Sequence, residues 1–527
     1  MSLARTRSVT LDGITGNVVE IEVHVGVGLP KTVLVGLPDT ALNESRDRCR
    51  AAVINSGISW PNHRITIALS PASLPKRGSH YDLAIALAVV SCMGEVPQEP
   101  IRDAVILGEL ALDGRLRAVP GVLPCALAAA AAGCDRAMVP EANVAEAEAV
   151  SGLQVIGVRS LRHAVALLRG GEIPDDPPVL PLASTARLTW SGSDRLDRLD
   201  LADVVGQPEG RLCVEVAAAG GHHLLFTGPP GVGKTMLAER LPALLPDLTF
   251  DESLEVSAVH SVAGTLDDEH PLVVRPPFLD PHHTASVASV VGGGSRAIRP
   301  GSMSLAHRGV LFMDEAPEFV APVLEALRQP LESGHVTIGR ADRTATFPAG
   351  FQLVLAANPC PCGSKSDDRE PCECTPAARR RYRHRLSGPI LDRIDIHRGI
   401  RQVSTHQLRS DLVLAEASSL VAVRVAAARE RQSRRFAGLP WRRNGDVPGP
   451  DLRRDWPPTG DGAARLEQAG EQGRLSARGV TRVLRLAWTL ADLKDLERPG
   501  VEQVEAALAL RSDGPLPAAL CPAGWVA

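Results

Sequence analysis

The stretch HLLFTGPPGVGKTMLAERL, His223 to Leu241, constrains the fold more than any other part of the chain. A short apolar run, Leu224 to Thr227, enters G-x-x-x-x-G-K-T, and helix-forming residues follow at once. Glycines let successive backbone N–H groups turn inward around phosphate oxygens, and the helix that follows adds the positive end of its dipole. This predicts a strand, a phosphate-binding loop and a helix. Its nucleotide-binding residues are Gly228, Pro229, Pro230, Gly231, Val232, Gly233, Lys234 and Thr235. Lys234 would reach the β- and γ-phosphates, and Thr235 would offer its hydroxyl to Mg²⁺. A chance Gly-rich turn would lack the Lys-Thr pair and both flanks.

Two further apolar runs end in polar residues suited to the same chemistry. GVLFMDEAPEF predicts a buried strand, Val310 to Met313, that delivers Asp314 and Glu315 at its C-terminal end, where parallel α/β sheets bind ligands. Asp314 would hold the Mg²⁺ shell, and Glu315 would position or deprotonate an attacking water. FQLVLAANP predicts another buried strand, ending in Asn358. A neutral amide there can orient water and sense a γ-phosphate without adding charge. Strand, Gly-rich turn and helix recur from about 200 to 400, as expected for a parallel sheet.

Asn358 opens NPCPCGSKSDDREPCECTP, which holds four of the ten cysteines as two C-x-C pairs. Cys360, Cys362, Cys372 and Cys374 match the ligand count of a closed tetrahedral Zn²⁺ site. The pairs are tighter than the usual C-x₂-C and the spacer is short. Structural zinc, a redox-responsive loop and a metal-free loop therefore all remain open. The other six, Cys49, Cys92, Cys125, Cys134, Cys213 and Cys521, sit among apolar neighbours and read as small core residues. His282, His283 and His307 read as hydrogen-bonded core or interface histidines rather than metal ligands.

A chain of 527 residues, 44% hydrophobic and 22% charged, is that of an ordinary multidomain globular protein. The net charge of −4 leaves nucleic-acid contact to local patches. The first residues lack a signal-peptide core, and no apolar run reaches the roughly 18 residues of a membrane span, so we expect a cytoplasmic protein with no membrane partner. Residues 1–170 alternate Val- and Ile-rich strands, such as NVVEIEVHVGVG and RITIALSP, with Ala-rich helices. A Gly- and Pro-rich linker covers 171–195. The last third predicts helical segments at about 405–436 and 461–511, interrupted by the polar stretch LPWRRNGDVPGPDLRRDWPPTGDG.

The phosphate loop, LFMDE, LAANP and SGPILDRIDIH together resemble an AAA+ ATPase of the magnesium-chelatase type. LDPHHTASVASVVGGGSRAIRPGSMSLAHRGVLFMDEAPEF and LSARGVTRVLRLAWTLADL resemble the ComM/YifB family more closely. The resemblance covers nearly the whole chain. It implies a multidomain α/β architecture. A Lon-protease-like (ribosomal S5-type) α+β domain spans 1–170, a P-loop AAA+ core 196–402 with the cysteine loop at 360–374, a helical lid 403–511 and a tail 512–527.

It also implies a ring, read as a homo-hexamer, that uses ATP and Mg²⁺ to drive DNA branch migration in recombination or uptake during competence. Arg393 would be the finger reaching a neighbouring subunit's γ-phosphate, and Arg478 a second sensor, with Arg482 and Arg485 on nearly the same helical face. Insertions carrying Arg296, Arg299, Arg340 and Arg343 would face the pore and track single-stranded or branched DNA. The basic run Arg379 to Arg385 could pair with DNA or with a neighbouring subunit. In the N-terminal domain His80 falls at the protease nucleophile position and Leu123 or Pro124 where a lysine is required. No Ser-Lys dyad is therefore expected, although Ser79 is adjacent. A protein remodeller and a magnesium-chelatase-type motor subunit are the competing readings, and unknown protein partners stay open.

Overall fold

The computed structural model describes residues 2–182, 196–267, 270–294, 298–340, 343–363, 372–403, 415–473 and 475–517. Arg296 and Cys521 lie outside these residues, as do the centre of the cysteine loop and most of the C-terminal tail.

The N-terminal unit is built on a seven-stranded mixed sheet. Its order is Lys31–Val35, Arg64–Ser70, Thr15–Gly26, Ser2–Asp12, Ala104–Ile106, Arg136–Pro140, Gln154–Val158. The long hairpin at its centre is antiparallel, with Ser2 opposite Val25 and Asp12 opposite Thr15. On one face the helices Thr40–Asn55 and Asp82–Cys92 bury Ile21, Val23, Ile65 and Ile67; on the other, Val122–Ala131 covers Val9 and Val105. Every residue of Asp82–Cys92 is buried, so the helix shows no apolar stripe. Its Asp82 enters this core because Arg48 binds it bidentately at 2.7 and 3.1 Å. The last helix, Leu161–Arg169, ends at Gly170 in a left-handed cap.

The central sheet has five strands, all parallel, in the order Phe278–Leu279, Val310–Met313, Gln352–Ala357, Leu224–Thr227, Ile396–Gly399. Side chains alternate between two cores. Leu224, Phe226, Val310, Phe312, Val354 and Ala356 face the helix Pro208–Gly220 and the C-terminal helices, while Leu225, Leu311, Met313, Leu353 and Leu355 face the opposite layer. Both faces are covered, which is why these strands read as unbroken apolar runs.

The C-terminal module contains Ser418–Arg435, Gly449–Asp455, Gly460–Glu471, Ala477–Leu493 and Val501–Ser512. The expected segment at 461–511 is thus three helices. Ser476 caps the second of these by accepting from the Gly479 N–H at 3.1 Å. The polar stretch between the helical segments is packed rather than excluded. Trp456 meets Phe436 and Trp441 edge-on, and its carbonyl accepts from Trp488 Nε1 at 2.9 Å. Its many Arg, Asp and Pro residues concealed these anchors. The N-terminal unit docks on the central one through the helix Phe250–Ala263, where the Gly121 N–H donates to the Ser261 carbonyl at 3.1 Å.

Candidate nucleotide site

Register decides which residues meet. Met313 pairs with Leu355, and Thr227 with Ala357, so the phosphate-loop strand and its neighbour release Gly228 and Asn358 side by side, while the third strand releases Asp314 two residues earlier in the register. Gly231 and Gly233 take φ of +76° and +96°, a left-handed region that costs a side chain strain and costs glycine little. A Cβ on Gly228 would lie 2.3 Å from the Ile400 carbonyl, so this position also requires glycine. Gly233 caps the helix Lys234–Arg240.

Lys234 is only 7% exposed and, among the described residues, has no acid within bonding distance. Its amine donates to the Gly228 and Pro229 carbonyls at 2.7 and 2.8 Å and to Asn358 Oδ1 at 3.0 Å. Burial lowers its pKa, against the pull of Asp314 and Glu315. A buried cation held by neutral oxygens in a glycine-rich loop is a fit for polyphosphate. Thr235 Oγ1 donates to Asp314 Oδ2 at 2.8 Å. These two hard oxygen donors suit Mg²⁺, which takes few protein ligands beside substrate phosphates.

Glu315 follows with φ +49°, unusual for a residue with a side chain and the kind of strain that clusters at functional sites. Its backbone N–H donates to Asp314 Oδ1 at 2.8 Å, and its carboxylate lies 3.1 Å from His283 Nδ1. His283 is the functional residue that sequence reasoning missed. A His-His pair in a polar loop has no spacing that would aim it at an acid thirty residues on. Its neighbour His282 bonds Thr284 instead, and buried His307 accepts from the Gly350 N–H at 2.9 Å and lies 3.2 Å from Glu255.

Arg393 and Arg478 converge elsewhere. Arg393 is buried, donates to the Pro389 carbonyl at 2.6 Å and pairs with Glu332, rather than with Asp392 or Asp395. Arg478, its side chain 64% exposed, approaches the same Glu332 at 3.5 Å and Asp392 at 3.7 Å. The neighbouring arginines are engaged in structure. Arg482 pairs with buried Asp395 at 2.9 Å, and Arg485 donates to the Val447 carbonyl. Burial opposes ionisation of Asp395, but Arg482 and the other cations around it hold its carboxyl well below the usual range.

The remaining expected sites are scattered. Ser79 donates to Glu109, His80 meets the Val9 carbonyl at 2.8 Å, and Leu123 and Pro124 are buried in a helix. The basic run forms the helix Pro376–Arg385, with Arg380, Arg381 and Arg383 exposed and Arg385 on Glu318 at 2.8 Å. Arg299 is exposed at the end of a two-residue ribbon, and Arg340 and Arg343 sit opposite each other at the tip of an antiparallel hairpin. The four cysteines converge, with all four sulfurs within 4.8 Å of one another. Among the described residues no helix is long and apolar enough to cross a membrane.

Comparison with known proteins matches the same three units. The family described as magnesium chelatase, subunit ChlI, covers residues 200–408; subunit ChlI of Mg-chelatase covers 21–143, and its C-terminal family 415–511. An uncharacterized protein of Mycobacterium tuberculosis is 51% identical over 98% of this chain and 99% of its own length. The uncharacterized protein YifB of Escherichia coli is 39% identical over 97% of each, and the competence protein ComM of Haemophilus influenzae 39% identical over 94% of each. The chain belongs to the ComM/YifB family of magnesium-chelatase-like proteins. In this ComM/YifB protein the α/β core with its parallel sheet is a P-loop, AAA+-like core.

Proposed function

We propose that this protein is an ATP-hydrolysing AAA+ motor that works as a ring, read as a hexamer, and promotes DNA branch migration as a helicase. One observation carries the chemistry: Lys234, Thr235, Asp314, Glu315 and Asn358 meet at the C-terminal ends of three adjacent parallel strands. Lys234 and the loop amides hold the phosphates. Thr235 and Asp314 hold Mg²⁺, which when bound neutralises phosphate oxygens. Glu315 takes the proton of the attacking water and His283 fixes its direction, while Asn358 stands between Lys234 and that water.

In this reading the N-terminal unit is a Lon-like domain without a Ser-Lys dyad, and the C-terminal helices are the lid. Arg393 and Arg478 serve a neighbouring subunit's nucleotide. The exposed arginines of the Pro376–Arg385 helix and exposed Arg299 supply phosphate contacts for DNA, with Arg340 and Arg343 joining them from the hairpin turn. The cofactors are ATP and Mg²⁺, with Zn²⁺ for the four thiols. The competence role of the related ComM favours DNA over a porphyrin or protein substrate.

The test is ATP hydrolysis by the full chain with and without single-stranded and branched DNA, beside Glu315→Gln. We expect stimulation by DNA and a loss of about 10²–10⁴-fold in the variant, the usual contribution of a general base. Hydrolysis that ignores every DNA would overturn the helicase reading and turn the search to protein remodelling or metal chelation.

A further inference from the structure

The cysteine cluster stands in direct contact with the nucleotide site. Cys360 follows Asn358 by two residues, and Cys374 directly precedes Thr375, whose hydroxyl accepts from the Ala378 N–H at 3.2 Å and caps the helix Pro376–Arg385. The sulfurs of Cys360, Cys362 and Cys372 are 3.3, 3.5 and 3.6 Å apart. A disulfide needs about 2.05 Å, so these are thiols drawn together without a disulfide. Four sulfurs held by bonds of about 2.3 Å around one tetrahedral ion would lie roughly 3.8 Å apart. The observed spacing is nearly that of a ligand shell. Among the described residues no carboxylate or imidazole belongs to the group, and an all-sulfur donor set selects Zn²⁺ over Mg²⁺ or Ca²⁺. Four thiolates leave no open position, which makes the site structural.

Two contacts join this cluster to the phosphate loop. Gly363, the residue after Cys362, has φ +80°, and its N–H donates to the Cys360 carbonyl at 3.0 Å, closing a tight turn. A Cβ on Gly363 would lie 2.7 Å from Cγ and Cδ of Pro230, so the turn rests directly on the phosphate loop. On the other side, Asn358 bonds Lys234 at 3.0 Å. The buried Tyr382 of the helix that follows sets its phenol against the Asn358 backbone.

We infer that Cys360, Cys362, Cys372 and Cys374 bind one Zn²⁺, and that this metal sets nucleotide affinity by holding Gly363 on Pro230 and Asn358 on Lys234. The second half rests on the nucleotide reading above; the first stands on the thiols alone. Binding exchanges the thiol protons for the metal.

The experiment uses the full chain expressed in zinc-containing medium. Elemental analysis should give about one zinc per chain, and Co²⁺ exchange should give the absorption of a tetrahedral tetrathiolate. Stripping the metal with a chelator should weaken binding of a fluorescent ATP analogue with Mg²⁺ by about 10- to 100-fold, the loss expected of a misplacement near 1 Å. Adding Zn²⁺ back should restore it. The double variant Cys372→Ser, Cys374→Ser should lose the metal and the affinity together, while Gly363→Ala should keep the metal and lose affinity. A chain that holds no metal and takes up none from added Zn²⁺ overturns the site. Zinc whose removal leaves affinity unchanged overturns the coupling. Zinc in a wild-type chain that binds no nucleotide overturns the coupling and the nucleotide reading, with the metal site intact.

Discussion

The phosphate-loop cluster and the Glu332 cluster are both built from charged residues, yet they are finished to different degrees. In the first, each side chain has a partner that serves the same chemistry: Lys234 with Asn358, Thr235 with Asp314, Glu315 with His283. In the second, three arginines meet two carboxylates: Arg393 and Arg478 share Glu332, Arg478 and Arg511 share Asp392, and Arg478 is largely exposed. An excess of cation around Glu332 is what a site needs if it is to meet additional negative charge, and in our reading that charge is a neighbour's nucleotide. The contrast teaches that a complete binding cluster and a complete active site need not be the same thing.

The largest effect expected from this contrast falls on Arg393. If it acts across a subunit boundary, Arg393→Ala should retain nucleotide binding while hydrolysis drops by about 10³–10⁵-fold. Mixing Arg393→Ala chains with Lys234→Ala chains, each inactive alone, should recover part of the activity, because some boundaries then join an intact arginine to an intact phosphate loop. Recovery of nothing, together with a fall in melting temperature for Arg393→Ala, would return Arg393 to a structural pair with Glu332.

A smaller effect tests the first cluster from within. His283→Ala should lower hydrolysis by about 10- to 100-fold, with nucleotide affinity unchanged, since only the aim of Glu315 is lost. His282→Ala should be silent, because that ring bonds Thr284. Equal losses in both variants would mean that the loop, not the His283 contact, matters.

The difference between these clusters also explains what the sequence could reveal. The phosphate loop was legible because its residues are contiguous and each answers one local demand of backbone or phosphate. The strands ending at Met313 and Ala357 were legible because burial on both faces demands unbroken apolar runs. His283 and Glu332 were not legible, since each meets its partner through tertiary folding across a segment with no periodic pattern. The helix Asp82–Cys92 showed its apolar content but not its place, because a helix buried all round has no stripe to orient it. The Trp441 and Trp456 anchors were hidden by the polar residues around them, although two tryptophans in a polar stretch are themselves a sign of packing.

The smallest and slowest effect concerns the floor on which both clusters stand. His222, fully buried, and His223, partly buried, precede the phosphate-loop strand; burial lowers both to about 4, opposed by Asp395 and reinforced by Arg482 and Arg443. Arg485 acts in the same direction on His222. His222 shares a bond of 2.7 Å with Thr489, and His223 Nδ1 accepts from the Leu353 N–H at 3.1 Å. A folded pKa below the unfolded value of about 6.5 means that the unfolded chain binds the extra protons. The stability these groups contribute is therefore whole above about pH 6.5 and is lost as pH falls toward 4. Each should cost about 1.4 kcal/mol per pH unit within that window. Thermal unfolding from pH 7 to pH 4.5 should follow that slope, and His223→Asn, which keeps an acceptor for Leu353, should flatten it. An unchanged slope would place the acid-sensitive step elsewhere, leaving the two clusters on a support that does not titrate.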